Sequence, residues 1–244
     1  MNDSAVRPRR IHTRGGGTCR ASFRAWSAAV LTAAALSVSC SGHAPELVSL
    51  EYRLALRPRD PRGTRVSEQL AVFAAARDED GLKDIAALHV LHDQSEYLWT
   101  LTPETWTRND RNKETWLGGT GLSAPDSGAL PRGLYRVVLE DLAGESAEAT
   151  FTLGSGLETG ASFPVIRRTG DSVSVVSRYP RTELLFLDSA GVLLRAVDAP
   201  RTPDLLDRLY GSALWREESK SLAAYAYDAE RNLGIYSWTM ELKP

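Results

Sequence analysis

The chain has 244 residues, 29 of them Lys or Arg and 31 Asp or Glu, for a net charge of −2; with 43% hydrophobic and 8% aromatic residues it can build cores, and wholesale disorder is excluded. The body of the chain carries no basic tract that could neutralise a phosphate backbone, which argues against a nucleic-acid partner. Two cysteines, Cys19 and Cys40, can form neither a disulfide framework nor a cysteine-built zinc site.

The first 24 residues hold six arginines against one acid, Asp3, together with a triple glycine at 15–17. Residues 25–39 (AWSAAVLTAAALSVS) then pass without a charge. Fifteen apolar and small residues suit the hydrophobic region of an export signal and fall short of the ~20 that a spanning helix needs. Small residues follow Leu36 up to Cys40, and Ser41 and Gly42 begin a polar linker. This arrangement resembles a bacterial lipoprotein signal. The leucine lies four positions before the cysteine, with Ser37 at the third, and that relaxed spacing is similar to the spirochaete type. The resemblance implies that the Cys40 thiol receives a diacylglycerol, that the peptide bond before it is cut, and that the new amino terminus is acylated. Residues 1–39 are then a signal peptide and 40–45 a lipidated linker. The plainer alternatives are an ordinary secretory peptide or an uncleaved amino-terminal anchor. At ~0.8 kcal/mol per buried methylene, two or three acyl chains hold a protein on a bilayer without any transmembrane helix. Loss of six basic residues and one acid with the signal leaves 23 basic against 30 acidic residues, a net charge of −7. Such a body is expected to stand off an anionic membrane surface, facing the periplasm or the outside.

Beyond the linker, apolar residues recur at every second position over 48–56, the period of a half-buried strand. Further strands are predicted at 66–76, 85–92, 97–101, 114–117, 134–140 and 147–153, with turn chemistry between them at 57–63 (RPRDPRG), 78–81 (DEDG) and 141–145 (DLAGE). Seven short strands in about a hundred residues, without useful helical periodicity, match the count of an immunoglobulin-like sandwich. The stretch 130–144 (LPRGLYRVVLEDLAG) resembles the last hairpin of bacterial Ig-like and fibronectin type III domains, in which a proline-glycine turn precedes a strand opening on an inward tyrosine, here Tyr135. The turn Asp78–Gly81 is similar to the same families. The resemblance covers 46–154 and implies a fold, not an activity.

The small, flexible run 154–160 (GSGLETG) is the expected boundary, and 161–244 a second, smaller β-rich module, sandwich-like or α+β. Its predicted strands are 163–168, 172–178, 183–188 and 192–197. A helix is predicted from Pro203, capped by Thr202, with Leu205, Leu206, Leu209, Tyr210, Ala213 and Leu214 at helical spacing. A hairpin of 222–228 and 233–242 closes the chain. The expected fold is therefore mainly β, an immunoglobulin-like sandwich followed by a smaller β-rich module with one helix.

The sequence nominates no catalyst. It has no GxSxG elbow, and the one cysteine of the mature region is committed to lipid. His89 and His92 are three apart on a strand, point to opposite faces and cannot readily share an ion, so no zinc centre is expected. Asp78, Asp80 and Asp84 offer oxygens for calcium, although a solvated turn uses the same residues and an EF-hand's twelfth-position glutamate is missing. Trp99, Trp106 and Trp116 read first as core and second as a surface for a ligand or partner. The glycine-rich run 116–122 reads as a turn rather than a phosphate cradle. Trp215 and Trp238 read as core or interdomain residues. The expectation is a non-enzymatic, membrane-anchored lipoprotein without cofactor, presenting loops or strand edges to a protein partner in the envelope; the competing expectation is a glycan- or small-ligand-binding protein or hydrolase using the tryptophan-rich region.

Overall fold

The computed structural model describes residues 43–79, 81–156 and 160–242. The signal segment, Cys40 and Asp80 lie outside them. Eight strands build the first half: β1 (Glu46–Pro58), β2 (Val66–Arg77), β3 (Ile85–His92), β4 (Tyr97–Leu101), β5 (Thr107–Arg111), β6 (Glu114–Leu122), β7 (Gly133–Asp141) and β8 (Ser146–Leu153). They divide into β1-β2-β6-β5 and β4-β3-β7-β8, the strand order of an immunoglobulin-like sandwich. Alternation sets which side chains meet between the sheets. Leu54 and Leu56, Leu70 and Val72, Leu88 and Val90, and Val137 and Leu139 are all buried in one core.

An aromatic column crosses this core from sheet to sheet. Tyr52 stacks on Phe151 at 4.2 Å, Phe151 on Tyr135 at 5.0 Å, and Tyr135 meets His92 at 4.8 Å. The inward Tyr135 also donates its hydroxyl to the Pro131 carbonyl at 2.8 Å, pinning the loop before β7 as a tyrosine corner does. Burial pushes the Tyr135 phenol up to about 12. Tyr135→Phe is expected to cost about 1–1.5 kcal/mol in urea unfolding at neutral pH, the worth of one hydrogen bond. Because the folded-state value is raised, the protonated phenol contributes fully below the ordinary tyrosine value near 10 and its contribution fades as pH rises towards 12. The wild type is therefore expected to lose more stability than Tyr135→Phe over that window, and parallel losses would refute the assignment.

The second half comprises β9 (Val165–Thr169), β10 (Ser172–Val176), β11 (Thr182–Leu187), β12 (Leu193–Asp198), β13 (Asp204–Leu205), α1 (Leu206–Tyr210), α2 (Trp215–Glu218), β14 (Ser221–Asp228), β15 (Leu233–Tyr236) and β16 (Met240–Glu241). β13-β10-β9 forms a small sheet. A second core gathers Val173, Leu184, Phe186, Leu206, Trp215 and Leu222. The single helix expected from Pro203 is instead two short ones. Asp204 and Leu205 pair with β10, and Gly211, at φ 88°, ends α1 after five residues. Leu205 and Leu214, expected on the helix's apolar stripe, are exposed.

Strands from both sides of 154–160 share one sheet. β1 pairs in parallel with β15, Leu54 opposite Leu233 and Leu56 opposite Ile235, so one nine-stranded sheet runs from β12 through β11, β14, β15, β1, β2 and β6 to β5, with β16 beside β14. Tyr179, Ala226, Leu233 and Ile235 accordingly join the first core from beyond the boundary. The described residues form one compact unit. No helix among the described residues is long and apolar enough to cross a membrane.

Candidate functional site

The three tryptophans of the first half do not share a surface. Trp99, on β4, is half-buried against the first core, 6.4 Å from Tyr135, and its Nε1 donates to the Ser123 carbonyl at 3.2 Å. Trp106 packs against the same core from the loop before β5. Trp116 precedes Leu117, a core residue, and so lies on the opposite, outer face of its sheet; it is buried, with the Arg111 guanidinium 4.0 Å above its ring. Trp215 is in the second core, as read from the sequence. Trp238 is not a core residue. It is 44% exposed where the chain leaves β15, in a shallow groove with Arg57, Met240 and Glu241.

The groove adjoins a feature the sequence reading missed. Tyr225 and Tyr227 on β14 and Tyr236 on β15 alternate with core residues and stand on the outer face of the long sheet, interleaved with arginines of β1. Arg53 lies 4.4 Å from the Tyr227 ring and donates to the Tyr225 hydroxyl at 3.2 Å; Arg57 lies 3.5 Å from the Tyr236 ring and donates to Gln69 at 2.6 Å. Burial raises the Tyr225 phenol above its ordinary value although Arg53 opposes the shift. Arginine faces and tyrosines satisfy one another here, which makes the surface a rigid plate. Neither strand alone carries its pattern; the β1–β15 pairing assembles it.

The two ends of the long sheet differ. β5 (TRNDR) is exposed throughout, and its edge is guarded by Arg108, Asp110 and Arg111. β12 begins on Leu193 and Leu194, which with the preceding Val192 are 52%, 41% and 58% exposed. Arg195, the first charge of the strand, turns towards the Tyr210 ring, 6.0 Å away. β12 pairs only with β11 among the described residues.

The histidines do not converge. His89 faces outward between Thr100 (3.0 Å) and Glu140 (3.2 Å); His92 is buried and donates from Nε2 to the Arg132 carbonyl at 3.2 Å. Asp78 and Asp84 of the acidic loop are brought together, and a third carboxylate, Asp141 at the end of β7, joins them. No signal within the 78–84 loop pointed to Asp141; the pairing of β3 with β7 supplies it. No protein-family model and no curated protein matches the chain.

Proposed function

We propose that this protein is a lipid-anchored envelope lipoprotein, held by Cys40, that binds a protein partner through the edge of β12 and performs no catalysis. The observation that carries the binding reading is that edge: three successive aliphatic side chains, Val192 and the first two of β12, stand in water where the terminal strand of a nine-stranded sheet begins. Edge strands offer unpaired N–H and C=O groups, and folded proteins usually blunt them with charge, as β5 does here. An extended partner segment adding as a further strand would satisfy that backbone and cover Leu193 and Leu194, which stand where the register with β11 shifts. The anchoring reading rests on the fifteen uncharged residues 25–39 and on Cys40, which follows them four positions after Leu36. Its bacterial Ig-like affiliation is supported by the strand order and by the Tyr135 corner.

One experiment tests both parts. Cells expressing the wild type, Cys40→Ala or Leu193→Lys/Leu194→Lys are labelled with a radioactive fatty acid, fractionated and crosslinked. Cys40→Ala is expected to lose the label and leave the membrane fraction. The double lysine variant, changed only at exposed positions, is expected to keep the label and lose at least ~10-fold in the crosslinked adduct, the effect of about 1.4 kcal/mol. A labelled Cys40→Ala protein would defeat the anchor, and an undiminished adduct would defeat the edge.

A further inference from the structure

We infer that Asp78, Asp84 and Asp141 form a binding site for a divalent cation of the calcium class, at one end of the first sandwich. Three elements meet there. Asp78 directly follows β2, Asp84 directly precedes β3, and Asp141 closes β7. The β3–β7 pairing sets Ile85 opposite Asp141, and Leu142 N–H donates to the Asp84 carbonyl at 2.8 Å, clamping the two strand ends. The loop between β2 and β3 is folded back by Gly81 N–H on the Asp78 carbonyl (3.2 Å) and Asp84 N–H on the Gly81 carbonyl (2.9 Å). One carboxylate oxygen from each of the three residues lies within 4.8 Å of the other two.

An acidic cluster alone is ordinary at a surface. The independent observation is Asp141, which is only 1% exposed. Its Oδ1 accepts from Glu145 N–H at 2.8 Å, but its Oδ2 is buried and meets no hydrogen-bond donor. Burying a carboxylate oxygen beside two further carboxylates is costly unless a counter-charge completes it; buried charges are paired or coordinate metals. The donor set is all oxygen, with no histidine or cysteine in the cluster, which suits a hard cation and not zinc. The spacing agrees as well. Oxygens bound at ~2.4 Å to one ion stand at most ~4.8 Å apart, and calcium tolerates the irregular geometry that a loop and two strand ends impose. The inference is independent of the anchor and of the β12 edge.

The test is equilibrium dialysis of the detergent-solubilised full chain against radioactive calcium, with thermal melting in calcium and in EGTA. The expected result is one calcium per chain with a dissociation constant at or below ~1 mM, as in extracellular modules, and a higher melting temperature in calcium than in EGTA. Asp141→Asn and Asp84→Asn should each weaken binding at least ~10-fold and shrink the calcium-dependent shift; the half-exposed Asp84 provides the variant that keeps its fold if the Asp141 variant does not. Absence of saturable binding up to about 5 mM, well above the range of such modules, overturns the inference. Binding that a folded Asp84→Asn protein retains undiminished overturns it too.

Discussion

Glu68→Ala is expected to lower the unfolding free energy by about 3–5 kcal/mol, the usual consequence of removing one partner from a buried ion pair. Glu68, on β2, is only 4% exposed, and its carboxylate takes the Arg132 guanidinium in a two-pronged bond, 2.7 Å at each oxygen. The same carboxylate also accepts Leu130 N–H at 2.8 Å. The alanine variant therefore takes the two-pronged partner from the guanidinium and leaves a buried backbone donor unmet, on either side of Pro131, the residue whose carbonyl Tyr135 holds. Glu68→Ala/Arg132→Ala is expected to fall well short of the summed single effects, since the bond between the two side chains can be lost only once. Urea unfolding followed by circular dichroism measures both. A loss below ~1 kcal/mol for Glu68→Ala would mean that the pair behaves as an exposed one.

Gly118→Ala is expected to cost at least ~3 kcal/mol, at or beyond the upper end for overpacking. A Cβ at this position would stand 2.1 Å from the Val72 carbonyl oxygen and 2.6 Å from the Phe73 Cα. Both are backbone atoms of the neighbouring strand and cannot rotate aside, so β2 and β6 would have to part where their register already shifts, between Leu70 and Val72. Gly154→Ala supplies the control. Nothing lies within 4 Å of its would-be Cβ, so a change within ~0.5 kcal/mol is expected. Comparable melting of the two variants would show that the approach of β2 to β6 is not what demands glycine.

Gly118 also shows why part of the fold could not be read from the sequence. The run 116–122 reads as a turn because glycines lack strand propensity, yet it continues β6 to Leu122: the contact with β2, invisible locally, is what selects glycine there. β5 escaped notice for the opposite reason. An edge strand wet on both faces has no alternation to display, and TRNDR has no apolar residue at all. Where one face is buried the pattern was plain, and 85–92 and 97–101 match β3 and β4 residue for residue. The inward Tyr135 was legible from its proline-glycine approach. The predicted helix failed because its spacing was helical but Gly211 and the β13–β10 pairing intervened. Of the acidic cluster, Asp78 and Asp84 were visible as a loop composition, whereas Asp141 enters through a pairing between strands distant in sequence. The tyrosine and arginine surface is likewise a product of long-range pairing, with β1 contributing the arginines and β14 and β15 the tyrosines.

The parallel seam between β1 and β15 orders events in time. Asn232 hands its side-chain amide to the Tyr52 carbonyl across 180 residues of chain, so β1 waits for β15 before its outer flank is closed. Joining such remote pieces is entropically slow, and the long sheet stays in two parts until β15 has been made and has found β1.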